Sequence, residues 1–113
     1  MITLTNVGSA YDSISAARGL GIARLDFRGA TQITFDVYHQ KIGTGTITYQ
    51  LWNETDGAEL GVVEDAAGAA VRFLTASFAV AINGVKLVRV SAKSTVATDD
   101  PIFFGSAVSL NVP

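Results

Sequence analysis

Apolar and polar residues alternate along most of this 113-residue chain, in segments separated by Gly, Asn and Asp. In QITFDVYHQ, residues 32–40, the apolar side chains of Ile33, Phe35 and Val37 alternate with Thr, Asp and Tyr. A period of two places successive side chains on opposite faces of an extended strand, whereas a helix requires a period near 3.6. The pattern therefore predicts an antiparallel β protein.

Short glycine-containing segments mark the turns between the predicted strands. The segment KIGTG, residues 41–45, separates the strand at 32–40 from TITYQLW at 46–52, and we expect these two strands to pair as a hairpin. The Asp-Gly pair at 56–57 suits a tight turn, and the Asn-Gly pair at 83–84 is the strongest turn signal in the chain.

About eight such strands fit into one domain covering residues 1–113, and residues 1–19 could form an N-terminal contact segment. This number of short antiparallel strands predicts an all-β, two-sheet sandwich that is jelly-roll-like. The inward phase of the strands predicts the core: Phe35, Val37, Ile47, Leu51, Phe78, Val80, Val88, Val90, Val108 and Leu110.

The composition is 49% hydrophobic but only 16% charged, against a charged fraction of about 25% in a typical soluble domain. No apolar stretch approaches the ~20 residues that span a bilayer, so we expect no membrane contact and interpret the apolar excess as surface for partner subunits. The net charge is -2, and the basic residues are scattered. We therefore expect no binding to nucleic acid.

The sequence contains no cysteine, which excludes disulfides and thiolate chemistry. The N-terminal segment MITLTNVGSAYDS lacks the basic and apolar regions of a signal peptide, so cytosolic synthesis is expected.

The single histidine, His39, lies in phase with the apolar residues of its strand. A catalytic base or a metal ligand needs partner groups that are not recognisable around it, so we interpret His39 as structural, either hydrogen-bonded or at an interface. Asp99 and Asp100 precede Pro101, and they fit a turn better than a calcium site, which would need a recognisable loop spacing.

No catalytic motif, cofactor-binding loop or metal-site spacing is recognisable in the chain. Five other acidic residues fall in or near turns, where nothing predicts that one is buried: Glu54, Asp56, Glu59, Glu64 and Asp65. We therefore expect a protein that is not an enzyme and that needs no metal or other cofactor.

Two aromatic residues occupy outward positions of the predicted hairpin. Tyr38 and Trp52 could form a ligand platform for sugars, or they could be a cross-strand pair that stabilises one face of the sheet. Packing or an interface is the interpretation we favour.

The outward positions of the later strands are small or apolar where a solvated sheet would carry charged residues. These positions are Phe73, Ala79, Ala81, Leu87, Phe103 and Ala107. A contiguous apolar face of this kind indicates an interaction surface. The alternative is a curved barrel or a covering loop, for which residues 8–19 are the candidate. We take Phe73, Leu87 and Phe103 as the candidate interface residues.

Two segments of the chain together resemble the small β-sandwich capsid decoration (cement) proteins of tailed bacteriophages. They are LVRVSAKSTVATDDPIFFGSAVSL, residues 87–110, and ITYQLWNETDGAELG, residues 47–61. The resemblance lies in the strand and turn pattern and covers roughly residues 30–110. It implies a compact β domain without a catalytic site that assembles, often as a trimer, over the joints between capsid subunits.

The first functional hypothesis is therefore a non-enzymatic virion structural protein that decorates and stabilises a phage capsid. It would be made in the host cytoplasm, would form a homo-oligomer, most plausibly a trimer, and would contact the major capsid protein at the virion surface. The alternative is a carbohydrate-binding β-sandwich module of a phage tail or of a secreted enzyme, which would bind glycans through Tyr38 and Trp52.

Overall fold

A computed structural model describes residues 2–3, 12–13, 23–96 and 101–113. Strands are the regular elements of these described residues, and no helix occurs among them. The strands are β1 (Ile2–Thr3), β2 (Asp12–Ser13), β3 (Ala23–Asp26), β4 (Gln32–Gln40), β5 (Ile47–Asn53), β6 (Ala58–Asp65), β7 (Val71–Ala79), β8 (Val85–Ser94) and β9 (Ile102–Asn111). Asp99, Asp100 and most of the predicted contact segment at residues 1–19 lie outside the described residues.

The strands form two antiparallel sheets. The first, which we call the β4 sheet, has the order β1-β9-β4-β7, and the second, the β5 sheet, has the order β2-β8-β5-β6. β3 also pairs with β8, at Val85–Val88, while β2 pairs with it farther along, at Ser91 and Ala92. β2 and β3 thus act as two parts of one interrupted strand.

The pairings are nested along the chain. β1 pairs with β9, β2 and β3 pair with β8, β4 pairs with β7, and β5 pairs with β6. This is the arrangement of one long hairpin, with its tip between β5 and β6, that is rolled into two sheets. The predicted all-β sandwich of jelly-roll type is confirmed.

The predicted hairpin between residues 32–40 and 46–52 is wrong. β4 lies between β9 and β7 in one sheet, and β5 lies between β8 and β6 in the other, so residues 41–46 cross between the sheets. The Asn-Gly pair at 83–84 likewise connects strands of different sheets. The Asp-Gly pair at 56–57 does join paired strands, and Gly57 has a φ of 66° that favours glycine.

The core lies between the two sheets. Six predicted core residues are buried: Phe35, Val37, Ile47, Leu51, Val88 and Val90. The other four are half-buried and pack against this core: Phe78, Val80, Val108 and Leu110. Phe78 is incompletely covered because its strand, β7, is the last of its sheet.

The prediction that Phe103 faces outward is wrong. Tyr38 pairs with Gly105 and His39 pairs with Phe103, so Phe104 is an extra residue in β9. Such a β-bulge reverses the inward and outward alternation along the strand that carries it. Phe103 is therefore buried, with 3% of its surface exposed, and the ring of Phe104 lies 5.0 Å from that of Tyr38 on the outer face.

Candidate functional site

Three aromatic side chains from three neighbouring strands cluster on the outer face of the β4 sheet. Tyr38 is at the centre, with its ring centroid 6.5 Å from that of Phe73 and 5.0 Å from that of Phe104. Phe73 is 65% exposed and Tyr38 is 45% exposed. We call these three residues the aromatic patch.

Strand register explains why the patch forms. Tyr38 of β4 is directly opposite Phe73 of β7, and cross-strand aromatic pairs stabilise a sheet face. On the other side, Tyr38 faces Gly105, which has no side chain, and the adjacent bulge turns Phe104 toward it. The aromatic patch therefore depends on the bulge as much as on the alternation of β4 and β7.

A shallow depression of about 120 Å³ adjoins the aromatic patch. It is lined by Asp36, Tyr38, Phe73, Gly105, Ser106 and Ala107. Pockets that enclose a small organic ligand usually measure about 300–1,000 Å³, so this surface is better suited to contact with a flat or convex partner. Asp36 is the single charged residue among the outward positions of β4, β7 and β9.

The three predicted interface residues do not share a surface. Phe73 faces outward as predicted, and Phe103 belongs to the core. Leu87 is half-buried and lies on β8 in the β5 sheet, where its backbone bonds the tip of the β5–β6 hairpin. An interface role for Leu87 stays a prediction, but Leu87 cannot extend the aromatic patch.

The predicted pairing of Tyr38 with Trp52 is wrong. The two residues are outward-facing on different sheets, because β4 and β5 do not pair. They lie on opposite sides of the sandwich and cannot form one ligand platform. Trp52 is half-buried between the neighbouring strands β6 and β8 of its own sheet.

A second cluster, the buried polar network, links the two sheets from within. His39 of β4 contacts the Tyr49 hydroxyl of β5 through Nδ1 and the Asp65 carboxylate of β6 through Nε2, both at 2.8 Å. All three residues are buried. Asp65 also accepts hydrogen bonds from the backbone N–H of Ala67 at 3.0 Å and from Arg72 at 3.0 Å.

The electrostatics of the network favour one protonation state. Burial lowers the pKa of His39, although the hydrogen bond to Asp65 opposes this effect. Burial acts to raise the pKa of Asp65, but hydrogen bonds from His39, Ala67 and Arg72 outweigh it and leave that pKa below its usual range. Burial, together with the nearby Asp65 charge, raises the pKa of Tyr49. At neutral pH, a neutral His39 thus donates to Asp65 and accepts from Tyr49.

This arrangement suits a structural role better than catalysis. Both ring nitrogens of His39 are engaged and the ring is fully buried, so no substrate atom can approach them. His39 is hydrogen-bonded, which is one of the two predicted alternatives for it. The sequence did not predict that Asp65 is buried. Two features could have indicated it: Asp65 shares the inward phase of Val63 on its strand, and an inward-facing histidine requires a polar partner.

The exposed turn carboxylates are engaged in ion pairs. Asp56 contacts Lys86 at 2.9 Å and Glu54 contacts Arg89 at 3.1 Å. Within residues 23–96 and 101–113 and the two short N-terminal strands, no group of three potential metal ligands comes together.

None of the described residues belongs to a helix that could cross a lipid bilayer.

Searches of family models, of curated proteins and of solved structures found no match to this chain. A functional interpretation therefore depends on the fold and on the surfaces that it presents.

Proposed function

We propose that this protein is a non-enzymatic virion structural protein that decorates and stabilises a phage capsid. It docks onto the major capsid protein through the aromatic patch of Tyr38, Phe73 and Phe104. The observation that carries this proposal is a cluster of three aromatic rings on one face of a small jelly roll, of which Tyr38 and Phe73 are exposed and Phe104 is half-buried.

The chemistry of the surface supports a protein partner. Centres of protein interfaces are enriched in aromatic residues and depleted in charged ones. Among the described residues that line the depression beside the aromatic patch, Asp36 is the single carboxylate. The shallow relief next to Tyr38 suits a protein surface better than a small ligand. The neighbouring hydroxyls of Thr34 and Ser77, 2.8 Å apart, provide a polar rim.

Decoration stabilises a capsid by mass action. A protein that binds the assembled shell but not its free subunits shifts the equilibrium toward the shell. A homo-oligomer would present several aromatic patches at once and would gain effective affinity from multivalent contact. The resemblance to decoration proteins implies that this oligomer is a trimer. The protein would be made in the host cytoplasm and would act at the virion surface.

Co-sedimentation with capsids tests this proposal. Capsids of the phage that encodes the protein, assembled without it, should bind the purified wild-type chain. Phe104→Ser should weaken binding about 30-fold, because aromatic residues at interface centres carry much of the binding energy. Val62→Ser is the matched control, since Val62 is an exposed apolar residue on the other sheet.

Circular dichroism and thermal unfolding should show that both variants keep the fold. A wild-type chain that does not sediment with these capsids, or a Phe104→Ser variant that binds as tightly as the Val62→Ser control, would contradict the proposal.

A further inference from the structure

β7, Val71–Ala79, is the last strand of the β4 sheet. Its nine residues pair with β4 on one side, and in the described part of the chain no strand pairs with its other side. Strand edges of this length present a row of unpaired backbone groups to which another strand can bond.

Hydrogen bonds at both ends of the strand identify which groups face this open edge. Lys41 N–H donates to the Ala70 carbonyl at 2.9 Å, and Val80 N–H donates to the Thr31 carbonyl at 3.1 Å. The register between β4 and β7 is unbroken from one end to the other. Because residues of an antiparallel pair either exchange both bonds or neither, the even-numbered residues of β7 bond to β4, and the odd-numbered residues direct N–H and C=O to the open edge.

β7 lacks the features that usually prevent edge-to-edge pairing, which are proline, a bulge or exposed charge. The strand contains no proline and forms no bulge against β4. Its single charged residue, Arg72, bonds to the buried Asp65. The odd-numbered residues, which are exposed, are all uncharged: Val71, Phe73, Thr75, Ser77 and Ala79.

The corresponding edge of the other sheet differs. β6 carries the exposed carboxylates of Glu59 and Glu64, and its register against β5 shifts between Leu51 and Trp52. Two copies of β6 would bring like charges together at a distorted edge, whereas two copies of β7 would not. This contrast indicates that the open edge of β7 is an interaction surface.

We infer that β7 pairs antiparallel with β7 of a second copy of this chain. An antiparallel pair of identical strands has two-fold symmetry, the commonest symmetry of soluble homo-oligomers. Odd-numbered residues then meet odd-numbered residues in hydrogen-bonded pairs, and the two four-stranded sheets become one continuous eight-stranded sheet. Phe73 of both copies lies on the same outer face, so the two aromatic patches become neighbours.

This inference goes beyond the proposed function, because it names the contact between copies and does not require a capsid. A two-fold contact closes a dimer, whereas the resemblance to decoration proteins implies a trimer.

Amide hydrogen exchange, measured by NMR at submillimolar concentration and after dilution, tests the pairing directly. The amides of Phe73, Thr75 and Ser77 should exchange at least about tenfold more slowly at high concentration, because they are bonded only in the dimer. Those of Leu74 and Ala76 should be protected at both concentrations, because they bond to β4. Analytical ultracentrifugation of the same samples should show a concentration-dependent dimer.

Variants at Thr75 provide the matched comparison. Thr75→Pro removes an open-edge N–H without removing a bond to β4, and it should weaken dimerisation at least about tenfold. Thr75→Val keeps the N–H and should remain dimeric. Thr75→Lys keeps the backbone N–H and places a cation on the middle of β7 in each copy, so it should also dissociate the dimer. It tests the same contact without changing the backbone of the strand.

Two results would overturn the inference. One is a wild-type chain that stays monomeric at submillimolar concentration. The other is a dimer or trimer in which the amides of Phe73, Thr75 and Ser77 exchange as fast as in the diluted sample. Capsid binding by Phe104→Ser is a separate measurement, because Phe104 lies on β9, away from the open edge of β7. A negative result for one proposal therefore does not contradict the other.

Discussion

At the scale of single residues, His39 joins the two sheets through contacts that are shut off from water. Its ring is fully buried, with Tyr49 on one side and Asp65 on the other. Buried polar groups are costly unless they are paired, and here both nitrogens are. The charged groups nearby are Asp65, Arg72 and Lys41, of which the two cations further lower the pKa of His39.

The first prediction is a loss of stability in mild acid. Because burial lowers the pKa of His39 in the folded state, the unfolded chain binds a proton first as the pH falls below about 6.5. The free energy of unfolding should then decrease by up to about 1.4 kcal/mol per pH unit until His39 titrates in the folded protein. Urea unfolding between pH 8 and 5, followed by the fluorescence of Trp52, measures this slope.

His39→Gln is the control for this window, because His39 is the chain's single histidine. The variant should be less stable at pH 8 but should lose the slope between pH 6.5 and 5. Asp65 contributes to the free energy of unfolding in a lower pH range. Its pKa is also lowered in the folded state, so the stability that the ionised carboxylate adds is lost only when the pH falls below about 4. If the free energies of unfolding of wild type and His39→Gln changed with pH in parallel, the conclusion that His39 is neutral in the folded protein would be wrong.

At the scale of elements, β6 and β7 close the sandwich along one side, where each ends its own sheet. The aromatic ring of Phe78, from β7, lies against the backbone of Gly61 on β6, and a Cβ at Gly61 would overlap that ring. Glycine thus lets the two edge strands approach closely enough for Phe78 to cover this side of the core.

The second prediction concerns this contact. Gly61→Ala should destabilise the protein by about 1–3 kcal/mol, because the added methyl forces the Phe78 ring to move. In a Phe78→Ala background, the same substitution should cost clearly less, which a double-mutant cycle of unfolding free energies would reveal as coupling. Gly105→Ala is the control, since no atom of the described residues lies within 4 Å of a Cβ at that strand position. Additive effects would mean that the two strands are not packed in this way.

At the scale of the whole molecule, the nested pairing places β4 and β5 at the centre of their sheets, with a partner strand on each side. Their backbone bonds can break only when neighbouring strands also separate. Because β4 pairs with strands that lie far from it in sequence, such separation approaches complete unfolding. Amides that exchange only by global unfolding report the full free energy of unfolding.

The third prediction follows from this arrangement. The slowest-exchanging amides of the protein should lie in β4 and β5, and the amides of β6 that face away from β5 should exchange much faster. Hydrogen exchange of the wild-type chain, resolved by NMR, measures both sets. If β6 exchanged as slowly as β5 throughout its length, its position at a sheet edge would be wrong or another chain would cover it.

The sequence by itself determined the class of fold and the phase of most strands. Alternation with a period of two is a local property of the chain, so it identified Phe35 and Val37 as core and Phe73 as exposed. The inward phase of His39 was readable for the same reason. The turn at 56–57 was also predictable, because Asp-Gly favours the local backbone geometry that a hairpin between adjacent strands requires.

Tertiary structure alone decided which strands pair. Many strands have compatible edges, and the choice among them depends on contacts between distant segments, so the alternation in β4 and β5 could not show that they lie in different sheets. The bulge that buries Phe103 and turns Phe104 to the outer face exists only relative to Tyr38 and His39 on the partner strand. The aromatic patch and the open edge of β7 are consequences of strand order and register, which arise only when the sheets assemble.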